Sequence, residues 1–260
     1  MKKNETVLIT GASSGIGKEL AKLFANDAVN LVLVARSEEN LTNVKHEIES
    51  KTDVTINIFP KDLSKEDDII SLQKELNSQN KQIDYLVNNA GFGLYGEFIN
   101  TNLEEELNMV DLNVRTVTHL TKMFLPGMVE RNKGGVINIA STAAFQPGPL
   151  MAVYYATKAY VLSFSEALSN EMKDKNVKIT AVCPGATDTN FGNRANMHES
   201  KLFQSGVGSV IEVANASYEG FKKGKTLVIP GFTNKLLANS VRFMPRKIVT
   251  KVVRFMQRRI

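Results

Sequence analysis

The chain alternates short, continuous apolar runs with longer stretches in which apolar residues recur every three or four positions. Short continuous runs are typical of strands buried on both faces of a parallel sheet, and the three-to-four spacing is typical of amphipathic helices. The predicted strands are residues 7–10, 30–35, 54–59, 83–87, 135–140, 177–182 and 226–229. The predicted helices are residues 18–26, 65–77, 103–128, 152–173 and 210–223. This alternation predicts an α/β fold, a single-domain doubly wound parallel sheet with helices on both faces.

Small, glycine-rich or polar segments follow many of the predicted strands directly. Because the carboxyl ends of parallel strands meet at one edge of a sheet, where ligands of such folds bind, we expect these segments to form one site. They are residues 11–17, 35–37, 88–91, 141 and 184–189.

The first of these segments carries Gly11, Gly15 and Gly17 between a predicted strand and a predicted helix. Glycine permits a tight turn and a close approach of the backbone to a ligand, and the free N–H groups of the following helix favour an anion such as a pyrophosphate. The Gly-x-x-x-Gly-x-Gly spacing differs from the best-known dinucleotide motif. A glycine-rich turn without a ligand is the alternative.

The end of the second predicted strand bears on cofactor choice. An acidic residue there would accept from a ribose 2′-hydroxyl and favour NAD, but the chain has Ala35 followed by Arg36. Arg36 can pair with a 2′-phosphate, which favours NADP(H) over NAD(H). An Arg36 that faces solvent beside the helix-start residues Glu38 and Glu39 is the alternative.

Tyr154 and Lys158 are four residues apart in a predicted helix, so their side chains lie on one face. A lysine ammonium favours the phenolate, which predicts a lowered pKa for Tyr154 and a phenol usable as an acid or base. Ser141 precedes a loop rich in Pro and Gly that can fold its hydroxyl back towards the tyrosine. Taken alone, the Tyr-x-x-x-Lys spacing is common on surface helices.

The composition fits a globular protein, with 43% hydrophobic and 23% charged residues among 260. Cys183 is the only cysteine, which rules out an intrachain disulfide and fits a reducing, cytoplasmic location. The apolar run near the N-terminus is too short for a secretory signal, and no run is long enough for a membrane span. No group of residues has zinc-ligand spacing, so we expect no metal.

The C-terminal residues 235–260 carry eight of the 32 Lys/Arg residues and none of the 27 acidic residues. After Pro245, apolar residues recur at helical spacing among basic ones, as in helices that lie on anionic membranes or cover a hydrophobic partner. Packing on the same domain, a contact with a second subunit and a peripheral membrane contact are the three alternatives. Nucleic-acid binding is disfavoured, because Phe243 and Phe255 are the only aromatic residues available for stacking. The recurring apolar residues are Ile248, Val249, Val252, Val253 and Met256.

Six motifs in order resemble those of the short-chain dehydrogenase/reductase family over roughly residues 5–230. They are residues 10–17, 88–91, Asn113, Ser141, Tyr154 with Lys158, and Pro184-Gly185 with Thr189. The resemblance implies a Rossmann-type catalytic domain over residues 1–234, with the tail 235–260 part of that domain or packed on it. It also implies a homodimer or homotetramer.

The resemblance further implies catalytic roles for four residues. Tyr154 would be the general acid and base, and Lys158 would lower its pKa and hold the nicotinamide ribose. Ser141 would polarise the substrate carbonyl, and Asn113 would position a relay water. Asn113 lies within a predicted helix, where an asparagine is usually explained by surface exposure.

The cofactor contacts that the resemblance implies span the whole strand-end edge. Asp62 has the alternative role of a helix-start cap before Ser64. The predicted cofactor-binding residues are Gly11, Ser13, Ser14, Gly15, Ile16, Gly17, Arg36, Asp62, Leu63, Asn89, Ala90, Gly91, Tyr154, Lys158, Pro184, Gly185, Thr187 and Thr189.

These inferences predict an NADPH-preferring oxidoreductase acting on a carbonyl or secondary alcohol. The alternatives are a non-catalytic NADP-binding regulator and a peripheral membrane protein. The family reduces sugar, steroid, acyl-chain and aromatic carbonyls, so the substrate stays open. The residues predicted to shape its pocket are Thr142, Gln146, Leu150, Thr187 and the segment 189–208.

Overall fold

In the computed structural model, which describes residue 3, residues 5–189, residue 192 and residues 207–258, the described strands form one parallel sheet. Their order is β3-β2-β1-β4-β5-β6-β7, and every neighbouring pair is parallel. The prediction of a doubly wound parallel sheet is confirmed. The strands are β1 (Thr6–Thr10), β2 (Asn30–Ala35), β3 (Ile56–Pro60), β4 (Tyr85–Asn88), β5 (Gly134–Ile139), β6 (Val177–Val182) and β7 (Leu227–Val228).

Helices connect the strands and continue beyond the last of them. The helical spacing predicted after Pro245 is confirmed by a helix over residues 246–257. The helices at residues 38–49 and 232–240 were not among the predicted elements. The described helices are α1 (Gly15–Asn26), α2 (Glu38–Glu49), α3 (Glu66–Ser78), α4 (Leu103–Val110), α5 (Thr116–Glu130), α6 (Ala152–Glu171), α7 (Val210–Lys222), α8 (Phe232–Ser240) and α9 (Arg246–Gln257).

Alternate residues of the central strands enter two different cores, because side chains along a strand point to opposite faces. Leu8 and Val32 lie in one core with residues of α3, α5 and α6. Ile9 and Leu33 lie in the other with residues of α1, α2 and α7. Both faces of the sheet are therefore covered, which explains the continuous apolar runs of β1 and β2.

The predicted single helix over residues 103–128 is wrong at its centre. A π-helical turn, Asp111–Arg115, separates α4 from α5. Such turns insert an extra residue into a helix and often occur at functional sites. Asn113 lies in this turn and is buried rather than exposed, so surface exposure does not explain it.

The C-terminal helix α9 packs on the domain that precedes it. Val249 and Val253 are buried in the same core as Tyr154 and Tyr155. The Tyr95 hydroxyl donates to the Gln257 carbonyl oxygen at 2.9 Å. One face of the tail thus contacts its own domain. Within the described residues, no helix is both long and apolar enough to cross a membrane.

Candidate active site

A cleft of about 670 Å³ lies at the carboxyl ends of the central strands and brings most of the predicted site residues together. Gly17 and Asn113 are the exceptions. Both are buried and do not line the cleft wall. The predicted residues that line it are Gly11, Ser13, Ser14, Gly15, Ile16, Arg36, Asp62, Leu63, Asn89, Ala90, Gly91, Ser141, Tyr154, Lys158, Pro184, Gly185, Thr187 and Thr189.

The glycine turn after β1 has a conformation that requires its glycines. Gly11 and Gly15 have φ of 63° and 56°, in the left-handed region that favours glycine. A Cβ at Gly17 would lie 2.4 Å from the Gly11 carbonyl oxygen. Helix α1 follows, and its N-cap Ser14 makes no side-chain cap. The first N–H groups of α1 therefore fit a phosphate anion.

The segment after β4 is fastened to the end of β1. The Thr10 hydroxyl accepts from the backbone N–H groups of Asn89 at 3.0 Å and Ala90 at 2.9 Å. The Asn89 amide donates to the carbonyl oxygens of Thr10 and Gly11. Both hydrogens of that amide thus hold the turn together. The sequence pattern did not single out Thr10 for this role.

Arg36 and Asp62 flank the cleft beyond the glycine turn. Arg36 is exposed at the end of β2, and its guanidinium makes no hydrogen bond or ion pair with the described residues. Asp62 Oδ1 accepts from the Ser64 N–H at 3.2 Å and the Ser64 hydroxyl at 2.8 Å. Helix α3 begins at Glu66 after the N-cap Lys65, so Asp62 is not its cap.

Ser141 contacts Tyr154 as the loop composition predicts. Ser141 follows β5 and caps the short helical turn Thr142–Phe145, accepting from the Ala143 N–H at 3.1 Å. Its side chain hydrogen-bonds the Tyr154 phenol. The strand end thereby holds the serine hydroxyl and the phenol side by side.

Lys158 lies one helical turn after Tyr154 and is buried. Its Nζ atom donates to the Ile139 carbonyl oxygen at 2.8 Å and lies 5.9 Å from the centre of the Tyr154 ring. Burial lowers the pKa of Lys158 to about 8. The group therefore remains largely protonated at neutral pH.

The predicted lowering of the Tyr154 pKa is wrong in this structure. Burial raises the pKa of Tyr154, and the hydrogen bond from Ser141 opposes the rise only in part. Burial destabilises the phenolate by more free energy than the hydrogen bond from Ser141 stabilises it. Tyr154 is therefore a neutral phenol at neutral pH, which is the form able to donate a proton.

Asn113 connects the segment after β4 to helix α6. Its Oδ1 accepts from the Phe92 N–H at 3.1 Å, and its Nδ2 donates to the Phe92 carbonyl oxygen at 2.9 Å. Nδ2 also donates to the Thr157 hydroxyl at 3.1 Å, and that hydroxyl donates to the Tyr154 carbonyl oxygen at 2.7 Å. Asn113 thus positions the backbone at Tyr154, while its relay of protons through water stays a prediction.

Gly91 lies where Asn113 and Lys158 come close. A Cβ there would lie 2.9 Å from Asn113 Oδ1 and 3.5 Å from Lys158 Nζ. We expect Gly91→Ala to displace the asparagine and lower kcat/KM by about ten- to a hundred-fold, since small misplacements of catalytic groups have effects of this size. Steady-state kinetics measures the loss. Gly127→Ala in α5 is the control, because its Cβ would meet the Arg131 guanidinium at 2.9 Å, the end of a flexible side chain, and neither residue lines the cleft. Equal losses in both variants would contradict the prediction.

The substrate side of the cleft differs in part from the prediction. Thr142 and Thr187 line it, but Gln146 and Leu150 do not. In the predicted segment 189–208, residues 190, 191 and 193–206 lie outside the described residues. The pattern missed several lining residues because they come from separate segments with no shared periodicity. These are Phe92, Leu94, Glu105, Asn108, Leu112, Met151 and Tyr155.

Comparisons with known proteins agree on one family. A family model described as short chain dehydrogenase matches residues 5–200. The 17-beta-hydroxysteroid dehydrogenase type 3 of Mus musculus is 36% identical over 185 residues, which are 70% of this chain and 60% of that protein. A solved short-chain dehydrogenase from Sphingobium yanoikuyae in complex with NADPH is 31% identical, with a TM-score of 0.84 over 94% of this chain and 95% of that chain. A solved bulky-bulky ketone specific alcohol dehydrogenase from Comamonas testosteroni is 32% identical, with a TM-score of 0.78 over 93% of each chain.

Proposed function

The chain belongs to the short-chain dehydrogenase family of NAD(P)-dependent oxidoreductases, and on that premise we propose that it uses NADPH to reduce a bulky, apolar ketone. The observation that carries the proposal is the cluster of the half-buried Ser141 with the buried Tyr154 and Lys158 on the cleft wall. A neutral phenol beside a serine hydroxyl suits protonation of a carbonyl oxygen.

In this proposal, Tyr154 donates its proton to the substrate oxygen as the carbonyl becomes an alcohol. The Ser141 hydroxyl donates a hydrogen bond to the same oxygen and stabilises its developing negative charge. The buried Lys158 ammonium faces the Tyr154 ring and stabilises the phenolate that proton donation leaves. A bound reduced nicotinamide supplies the hydride.

The described residues fit such a cofactor. The glycine turn leaves no room for side chains at Gly11 and Gly17, and the start of α1 has no side-chain cap. Lys158 and residues 184–187 also line the cleft. The solved Sphingobium relative, described in complex with NADPH, supports the same class of cofactor.

Arg36 is the residue that we propose to select NADPH over NADH. Its guanidinium lies at the cleft and has no partner among the described residues, so it is available to a 2′-phosphate. We expect Arg36→Ala to raise the KM for NADPH by roughly ten-fold or more, as for a lost charge-assisted hydrogen bond, with little effect on NADH. Kinetics with each cofactor measures this. An unchanged ratio of the KM values for NADPH and NADH would mean that Arg36 faces solvent and does not contact the 2′-phosphate.

The proposed substrate class rests on the cleft wall. The cleft is lined by Phe92, Leu94, Leu112, Met151 and Tyr155, which belong to or pack against the same apolar cluster as Tyr154. The names of the mouse and Comamonas relatives, a hydroxysteroid dehydrogenase and a bulky-bulky ketone specific enzyme, support the same class. The test is NADPH oxidation by the purified protein over a panel of ketones graded from acetone to polycyclic ketones. A kcat/KM that does not rise with apolar size would overturn the proposed substrate class.

A non-catalytic NADP-binding regulator is the alternative function. It gives no reason for Asn113, Ser141, Tyr154 and Lys158 to be present together, and cofactor binding without turnover on any carbonyl would favour it. We further propose that the protein acts in the cytoplasm, a reducing location that its single cysteine fits, and that it forms a homodimer or homotetramer, as the resemblance in sequence implies.

A further inference from the structure

The last elements of the chain expose an unusual amount of apolar surface. Phe232 and Phe243 have exposed fractions of 82% and 89%. Single exposed apolar residues are ordinary, but a succession of them in 27 residues indicates an interaction surface. We call the exposed residues of 232–258 the C-terminal surface. Its large apolar members are Phe232, Leu236, Leu237, Phe243, Met244, Ile248, Val252, Phe255 and Met256.

Helix α9 separates its residues into three stripes by helical spacing. The inner stripe is Val249, Val253 and Gln257, which are all buried against the domain. An outer apolar stripe is formed by Ile248, Val252 and Phe255, and an outer basic stripe by Lys247, Lys251 and Arg254. Packing on the domain accounts for the first stripe and leaves the other two facing outwards.

The charge of this surface is of one sign. Residues 235–260 contain eight basic residues and no acidic residue, whereas the chain before them has 24 basic and 27 acidic residues. Arg254 pairs with Glu97 at 3.2 Å, and both side chains are about half exposed. Lys247 and Lys251 make no ion pair with the described residues.

We propose that the C-terminal surface binds an anionic lipid bilayer. The apolar stripe would enter the boundary between headgroups and acyl chains, and the basic stripe would contact the lipid phosphates. The charge argues against a second copy as the occupant, because a two-fold interface through this surface would oppose basic residues to basic residues. An anionic membrane offers apolar acyl chains to the first outer stripe and negative charge to the second.

The same helix connects this surface to the cleft. The Gln257 side-chain amide donates to the Tyr155 hydroxyl, and Tyr155 lines the cleft beside Tyr154. The membrane-facing helix therefore supports a residue of the substrate wall. This proximity suits an enzyme whose substrates partition into lipid, although the proposed docking does not depend on that function.

The test is sedimentation of the full chain with vesicles of phosphatidylcholine, either alone or mixed with phosphatidylserine. Ile248→Ser removes an outer apolar side chain, and Ile211→Ser on α7 is its control at a similar exposed fraction, 48% against 60%. Lys247→Glu/Lys251→Glu reverses the basic stripe. Lys173→Glu/Lys175→Glu, at exposed positions after α6, gives the same change of net charge elsewhere.

We expect binding to the anionic vesicles only, and weakening by salt. The Lys247→Glu/Lys251→Glu variant should lose at least about 25-fold in partitioning, from roughly five-fold for each basic residue. Ile248→Ser should lose several-fold, while both controls should bind as the parent does. Equal losses in the controls, or no binding to anionic vesicles, would overturn the proposal. Self-association that Ile248→Ser abolishes, without vesicle binding, would replace it with an interface between copies.

Discussion

Replacement of Tyr154 by phenylalanine is expected to lower kcat for ketone reduction by roughly 10²- to 10⁴-fold, the usual contribution of general acid catalysis. The phenol is buried against Ser141, and the phenylalanine ring keeps its volume but has no proton to donate. NADPH binding and the fold should persist, since the backbone contacts of Tyr154 through Thr157 remain. Single-turnover kinetics and a cofactor titration measure the two effects separately.

Tyr155→Phe is the matched control for this prediction. Tyr155 is the next residue, lines the same cleft and has its ring centre 6.0 Å from that of Tyr154. Its hydroxyl accepts from Gln257 rather than contacting Ser141. We expect its kcat to change by no more than a few-fold. Comparable losses of kcat in the two variants, or full turnover by Tyr154→Phe, would show that Tyr154 is not the proton donor.

The sheet could be predicted because its strands are buried on both faces. Such burial requires apolar residues at consecutive positions, and β1 and β2 show that pattern directly in the sequence. The π-helical turn around Asn113 could not be predicted in the same way. Helical spacing continues on both sides of the turn, and Asn113 within it is held by hydrogen bonds to Phe92 and Thr157, which are distant in sequence.

The location of the cleft and most of the predicted residues that line it could be read from the sequence. Segments that follow parallel strands must meet at one edge, so Gly11, Asn89 and Ser141 could be placed together from their positions alone. The Tyr154 pKa was predicted with the wrong sign, because the degree of burial is a property of the folded chain. Gln146 and Leu150 were misplaced for a related reason, since the path of a loop is not encoded in a local pattern.

Replacement of Lys158 by methionine is expected to inactivate the enzyme and to stabilise its fold near neutral pH. Activity should fall by 10²-fold or more, because the variant lacks the charge that stabilises the Tyr154 phenolate in the proposed mechanism. The lowering of the lysine pKa from 10.5 to about 8 corresponds to about 3 kcal/mol of unfavourable burial of the charge. The Ile139 carbonyl oxygen loses a hydrogen bond worth about 1 kcal/mol. The free energy of unfolding should therefore rise by about 2 kcal/mol.

The pH dependence of that stabilisation identifies its cause. Below about pH 8, Lys158 is protonated in both the folded and the unfolded state, and the whole penalty is present. Between about pH 8 and 10.5 the unfolded state binds the extra proton, so the stability contributed by this group rises with pH until the penalty is gone. Urea denaturation of the parent protein and of Lys158→Met at about pH 7 and pH 10 measures the difference between their free energies of unfolding. The titration of groups that both proteins share cancels in this difference. A stability difference that does not change with pH would mean that the buried charge is not its source, because methionine packing alone would act equally at both values.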